Sequence, residues 1–180
     1  MKKLRIGFSK PKGKIFPIFS WLIRIYEGTP HSHVYIRWET KWNTWLCYHA
    51  ASVMVHFLGE YSFAKHIEII EEFEFNVSEE QFDRLMRFCT KNVGQDYALL
   101  EALMIPFVDY LEARGKIFHS YASGEVKQYC AELVLRALAE MSQEKLTFDA
   151  DRVKLKQVYE FVKEKSKSEG ELCATGPGLK

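Results

Sequence analysis

The sequence predicts an α+β fold, with most strands in the first half of the chain and most helices in the second. Up to Asn76 apolar and polar residues mostly alternate, whereas after Ser78 apolar residues recur every three or four positions. The chain has 180 residues and is 47% hydrophobic, which is enough for one substantial core. We expect a single domain over residues 1–165. Residues 166–180, rich in Ser, Gly, Lys and Glu, are predicted to form a flexible tail.

The predicted strands share short alternating patterns bounded by turn residues such as Pro11, Gly13 and Asn43. In the histidine-bearing strand, the alternation separates an apolar face from a more polar face that carries His33 and Tyr35. We expect an antiparallel meander packed against helices, formed by Leu4–Phe8, His33–Glu39, Thr44–Ala50, Ser52–Leu58 and His66–Asn76.

The first predicted helix is Pro17–Glu27, with proline in its first turn and Gly28 after its end. The apolar run around it is shorter than the roughly 20 residues needed to cross a bilayer, and indicates a buried helix instead. Ser78 and Gln81 have the spacing of a capping box and predict another helix start. Three further helices are predicted, at Tyr97–Arg114 with a kink at Pro106, at Cys130–Met141 and at Ala150–Lys165. The second of these is expected to bury an apolar stripe made of Leu133, Val134, Ala137, Leu138 and Met141.

Charge and cysteine content exclude several classes of function. Lys and Arg total 25 and Asp and Glu total 24, so no overall field draws the protein to nucleic acid or anionic lipid, although local patches can exist. The four cysteines are widely spaced without a C-x-x-C pair, which argues against a zinc knuckle and a disulfide scaffold. No secretory signal or transmembrane segment is recognised, and a cytoplasmic protein is the expectation.

Three residues form a candidate catalytic group. Cys130 is predicted to open a helix, where amide groups and a nearby imidazole would both favour a thiolate. His33 stands at the start of a strand, and His49 in the next strand could lie beside it across a hairpin. Each residue alone also has an ordinary structural explanation, namely a buried thiol or a hydrogen-bonded histidine.

A metal site is the alternative explanation of these histidines. His31 and His33 could share a strand face, with His49 or His56 as a further ligand. Pro30 places His31 in a loop instead, and no carboxylate lies at helical ligand spacing from a histidine. We therefore expect no metal and no cofactor.

Three segments together resemble the permuted branch of the NlpC-type papain-like hydrolases, which includes YiiX-like enzymes and the more distant lecithin:retinol acyltransferase-like proteins. The segments are Thr29–Ile36, Tyr48–Ala50 and Tyr129–Val134, in that order along the chain, and Gly94–Tyr97 is similar to a turn of that family. The resemblance covers about Leu4 to Met141. It implies a permuted papain-like fold with the nucleophile helix near the C-terminus.

Residue by residue, the resemblance implies Cys130 as nucleophile, His33 as general base and His49 as the polar residue that orients it. The backbone amide of Cys130 is the natural oxyanion donor, and Tyr35 is a candidate for a second donor. YiiX-like members often carry an acid in the place of His49, so this chain is closer to the acyltransferase-like pattern and its substrate class stays open.

The function predicted from these residues is thiol hydrolysis of an amide or ester bond through an acyl-cysteine intermediate. The candidate substrates are peptides, isopeptides and lipid-like esters. Two alternatives remain: a lipid acyltransferase or thioesterase, and a catalytically inactive papain-like module that binds a partner. A virus-encoded enzyme that acts in its host cell is also consistent with the sequence.

Overall fold

Seven strands and five helices make up the described part of the chain. The structure, a computed structural model, describes residues 1–12, 17–51, 54–97, 114, 127–143 and 153–168. In chain order the elements are β1 (Lys2–Pro11), α1 (Pro17–Glu27), β2 (His33–Glu39), β3 (Trp45–Ala51), β4 (Met54–Gly59), α2 (Glu60–His66), β5 (Ile67–Val77), α3 (Glu79–Asn92), β6 (Asp96–Tyr97), β7 (Lys127–Gln128), α4 (Cys130–Ser142) and α5 (Leu155–Ser168).

One sheet joins all of these strands, in the order β5-β1-β2-β3-β4-β6-β7. Neighbours from β5 to β6 are antiparallel, and the two-residue β7 is parallel to β6. The predicted α+β class is confirmed, and β1 to β4 form the predicted meander. The prediction that the meander continues from β4 into β5 is wrong, because β5 pairs with β1 at the opposite edge of the sheet. The permuted papain-like topology stays a prediction.

The helix α2, which the sequence pattern did not predict, accounts for the position of β5. It follows β4 directly and lies against β3, β4 and β5. Its buried Phe63 packs against Tyr35 with ring centroids 4.5 Å apart. Burial of this aromatic ring ties α2 to one face of the sheet, and the chain then re-enters the sheet beside β1.

The other face of the sheet carries the main hydrophobic core. Helix α4 packs against β2 and β3 there, α3 packs against α4, and α5 lies against β5. The apolar stripe predicted for α4 is buried throughout. The alternate residues of β2 and β3 that face α4 are buried as well. The core includes Val34, Ile36, Tyr48, Ala50, Leu133, Val134, Ala137, Leu138 and Met141.

The helix termini agree in part with the ends predicted from the sequence. Ser78 caps α3 in a capping box: Gln81 N–H donates to Ser78 Oγ (3.2 Å), and Ser78 N–H donates to Gln81 Oε1 (2.9 Å). Helix α5 continues to Ser168, so residues 166–168, which the sequence assigned to a flexible tail, are helical, and Ser166 is buried. Tyr97 belongs to β6 and cannot open the helix predicted there; the rest of that segment, to residue 113, lies outside the described residues.

Helix α1 has the predicted bounds but not the predicted burial. Ile18, Trp21 and Ile25 are 66%, 53% and 59% exposed, so the expectation of a buried helix is wrong. Among the described residues, the opposite side of α1 meets the body of the protein through Ser20 and the partly buried Ile23. The apolar residues of α1 surround more than one side, and their spacing alone could not tell which side packs. Within the described ranges, no helix has the length and apolar content to cross a bilayer.

We predict that Gly7→Ala is destabilising by about 1–3 kcal/mol, because the added methyl group would overpack a filled site. A Cβ at Gly7 would lie 2.1 Å from Cζ of Tyr35, in the next strand. Denaturant unfolding monitored by circular dichroism measures the change. Gly59→Ala is the matched control, since nothing lies within 4 Å of its Cβ position and its φ of −67° suits alanine. Equal stability of both variants would contradict the prediction.

Candidate active site

Two imidazoles form a buried hydrogen-bonded pair in the sheet. His33 Nε2 and His49 Nδ1 are 3.1 Å apart, and both side chains are buried. The two rings meet edge to face, with centroids 5.3 Å apart. The sequence-based prediction that a hairpin sets His49 beside His33 is confirmed by this distance.

The strand register produces this pairing. In the β2–β3 ladder, Ile36 is opposite Tyr48 and Arg37 is opposite Cys47. Extension of the ladder by one pair places Tyr35 opposite His49. His33 lies two residues from Tyr35 on the same sheet face, which makes it the diagonal neighbour of His49, within reach of a long side chain.

Burial keeps both rings neutral. Desolvation lowers the pKa of His33 to about 4, and the nearby His56 lowers it further in the same direction. Desolvation likewise lowers the pKa of His49 to about 2, with His33 and His56 as additional causes. At neutral pH the pair is therefore two uncharged imidazoles, each with one N–H group.

The hydrogen bond between two neutral rings can run in either direction. If His33 donates from Nε2, its Nδ1 keeps a lone pair and can accept a proton. If His49 donates from Nδ1, His33 carries its proton on Nδ1 and is not a base there. His49 Nε2 is buried and has no hydrogen-bond partner among the described residues. Only the first direction equips His33 for general-base chemistry.

Cys130 is the first residue of α4, as predicted. The preceding residue, Tyr129, holds the N-cap position in an extended conformation, and its hydroxyl donates to the carbonyl of Val153 (2.8 Å). The thiol is buried. Helix-start amides and the positive end of the helix dipole favour negative charge at this position.

Cys130 and His33 lie at the same end of the sheet. Met54 opens β4 opposite Ala51 and pairs with Asp96 of β6, and β7 runs beside β6 towards this end before α4 begins. Extension of the β2–β3 register places His33 opposite Ala51 as well. The first residues of β2 and α4 therefore share one end of the fold.

The three candidate residues do not share one sheet face. Helix α4 covers the face of Val34 and Ala50, while the imidazoles are on the face that α2 covers. Three strands also separate β2 from β7 in the sheet order. A contact between the thiol and His33 would therefore form around the end of β2. The structure brings the two histidines together, and the complete group stays a prediction.

Tyr35 has another partner. Its hydroxyl donates to Glu72 Oε1 (2.5 Å), and Arg37 forms an ion pair with the same carboxylate. A tyrosine has one hydroxyl hydrogen, so in this arrangement Tyr35 cannot also donate to an oxyanion. Tyr35 thus anchors the face that carries His33, with the two rings stacked 6.5 Å apart. The prediction that Tyr35 is a second oxyanion donor is therefore wrong for this arrangement.

The remaining histidines take separate positions. His31 packs between the rings of Phe8 and Tyr159 on the core side, away from the imidazole pair. His56 lies opposite His49 in the β3–β4 ladder, with ring centroids 4.4 Å apart. Sequence reasoning considered His56 only as a metal ligand, although alternation in β4 could have placed it beside His49. Among the described residues, no group of three or more His, Cys, Asp or Glu side chains could hold a metal ion.

Comparisons with protein-family models, with curated proteins and with solved structures found no match to this chain. The function of the protein is therefore inferred from the residues and geometry described above.

We predict that the protein loses stability as the pH falls from about 6.5 towards 4. Because burial lowers the native pKa of His33 and His49, the unfolded chain takes up protons in this range before the native protein does. Each histidine contributes a loss of about 1.4 kcal/mol per pH unit. No such loss applies above the ordinary histidine pKa.

Denaturant unfolding at several pH values, combined with ¹⁵N NMR of labelled histidine, tests this prediction. We expect the ¹⁵N shifts of His33 and His49 to be those of neutral rings at pH 5.5, and to identify the nitrogen that carries each proton. Titration of either ring near pH 6.5 in the folded protein would contradict it.

Proposed function

We propose that the protein is a cysteine acyl-hydrolase in which Cys130 is the nucleophile, His33 the general base and His49 the residue that orients His33. The observation that carries this proposal is the buried hydrogen bond between His33 Nε2 and His49 Nδ1. A base whose ring is held by a third polar residue is the arrangement found in nucleophilic triads. The helix-start position of Cys130 supports its role as the thiol.

In the proposed reaction, the thiol proton moves to His33 Nδ1 as Sγ attacks the carbonyl carbon of an amide or ester. His49 accepts a hydrogen bond from His33 Nε2–H and holds the ring in place. The resulting imidazolium then protonates the leaving amine or alcohol, which leaves an acyl thioester on Cys130. Water attacks this thioester and restores the free thiol; an alcohol or amine acceptor would make the same site a transferase.

The first turn of α4 is the proposed source of oxyanion stabilisation. The amide dipoles in the first turn of a helix favour negative charge. The backbone amide of Cys130 lies in that turn of α4. A peptide, an isopeptide or a lipid-like ester would be compatible with this chemistry.

The other described thiols are unsuited to the reaction. Burial raises the pKa of Cys47 to about 12, and it raises the pKa of Cys89 as well. Both side chains therefore stay protonated at neutral pH, and a protonated thiol is a poor nucleophile. Selective acylation of Cys130 is the expected consequence.

We predict that p-nitrophenyl esters acylate Cys130, with release of one equivalent of p-nitrophenol in a burst. Intact mass and peptide mapping would locate the acyl group on this residue. Cys130→Ala should abolish the burst, and Cys89→Ala is the matched control because it removes a buried thiol of α3. Acylation of other residues, or a burst that survives Cys130→Ala in a folded protein, would refute the assignment.

We predict that His33→Ala reduces the acylation rate by about 10²–10⁴-fold, the usual contribution of a general base. His49→Ala should reduce it by about 10²-fold through misplacement of the base, whereas His49→Asn should recover most of the rate because its Oδ1 can accept from His33. Because burial lowers the pKa of His33 to about 4, the acid limb of kcat/KM should lie near pH 4. An acid limb at pH 6.5, or His49→Asn as impaired as His49→Ala, would exclude the proposed roles.

A binding module without turnover is the second candidate. It is favoured by the burial of both Cys130 and His33 and by the position of the imidazole pair on the face opposite to α4. A folded protein that shows no acyl adduct with esters or peptides, and whose Cys130 reacts with iodoacetamide like an ordinary thiol with a pKa of about 8.5, would support this candidate.

A further inference from the structure

Helix α1 presents a continuous apolar stripe away from the body of the protein. The stripe consists of Ile18, Trp21, Leu22 and Ile25, at the i, i+3, i+4 and i+7 positions of one helix face. All four are exposed, and Tyr26 extends the same surface. Large apolar side chains that adjoin one another in this way mark an interaction surface.

The orientation of this stripe is set by polar contacts on the other side of α1. Ser20 Oγ lies 2.6 Å from Ser32 Oγ, and both hydroxyl groups are buried. At the end of α1, the Glu27 carboxylate accepts hydrogen bonds from the backbone N–H groups of Leu155 (3.1 Å) and Lys156 (2.6 Å) at the start of α5. These contacts attach α1 to the body of the protein at Ser20 and at Glu27, so that its apolar stripe faces outward.

Among the described residues, two lysines lie at the end of α1 beside the stripe. Lys154 Nζ lies 5.2 Å from the centre of the Tyr26 ring, and Lys156, the second residue of α5, is exposed. Arg24 of α1 lies on the inner side of the helix instead, where its Nε donates to the carbonyl of Ser20 (3.3 Å). The acidic residue beside them is Glu27, and its carboxylate is engaged by the amides at the start of α5. This surplus of cations is local, since the whole chain has a net charge of only +1.

We propose that the α1 stripe docks the protein on an anionic lipid bilayer. An exposed helix with aliphatic residues, a tryptophan and a tyrosine on one side and cations beside them is suited to the boundary between headgroups and acyl chains. Eleven residues make a helix about 16 Å long, which is too short to span a bilayer, so α1 lies in the plane of the interface. The adjacent cations match anionic headgroups.

This surface is separate from the proposed catalytic residues but connected to them. Ser32, which holds α1 through Ser20, directly precedes His33. Docking through α1 would therefore bring the end of the sheet that begins at His33 close to the lipid surface. No residue of the stripe takes part in the proposed reaction, so membrane docking can be tested in the Cys130→Ala protein.

Flotation with vesicles tests the proposal. The full chain should float with vesicles of equal phosphatidylglycerol and phosphatidylcholine, and at least tenfold less with phosphatidylcholine alone. The double substitution of Trp21→Ser with Ile25→Ser should weaken binding to the anionic vesicles at least tenfold. Trp42→Ser is the matched control, because Trp42 is 73% exposed on the turn between β2 and β3, and it should bind as the wild type does.

A charge variant and an assembly measurement complete the test. Lys156→Gln should weaken binding to anionic vesicles about fivefold, the usual effect of one cation near such a surface. Circular dichroism and light scattering establish that each variant is folded and show its oligomeric state. Unchanged binding by the folded stripe variant would overturn the proposal, as would an equal loss in Trp42→Ser or a dimer that only the stripe variant disrupts.

Discussion

The pairing register of β2 in the centre of the sheet is the constraint on which the core and the candidate site both depend. With Ile36 opposite Tyr48, one set of alternate residues faces α4 and the other set includes His33 and Tyr35. A slip of one residue would exchange the two sets and place imidazole in the aliphatic core. Both faces of β2 are buried, so this exchange would lower stability on both sides of the sheet.

The same burial sets the chemistry of the imidazole pair. Removal of water lowers the pKa of both rings, and a neutral pair shares one hydrogen bond without the cost of a buried charge. Such a base is weaker than an exposed histidine, but it is fully deprotonated at neutral pH and its orientation is defined. Catalysis by this group therefore depends on geometry more than on basicity, and the direction of the inter-ring hydrogen bond decides whether His33 Nδ1 can take a proton.

Helix α2 buries its large apolar side chain against the sheet, whereas helix α1 leaves its apolar side chains exposed. Phe63 of α2 is buried against Tyr35 and His49, and the helix closes the face of the sheet that carries the imidazoles. Helix α1 is attached by its polar side and leaves Trp21 and its apolar neighbours exposed. The first arrangement removes water from the candidate site, and the second leaves exposed the surface that we propose docks on a bilayer.

The sequence by itself determined features that depend on near neighbours: the capping box at Ser78, the bounds of α1, the strand at His33 and the α4 stripe. It also indicated the proximity of His33 and His49, because a short hairpin leaves few registers. The pairing of β5 with β1, the packing of α2 and the exposed side of α1 were decided by tertiary structure alone. Each is a choice among surfaces distant in sequence, and hydrophobic burial is non-directional, so local periodicity carries no information about which surfaces meet.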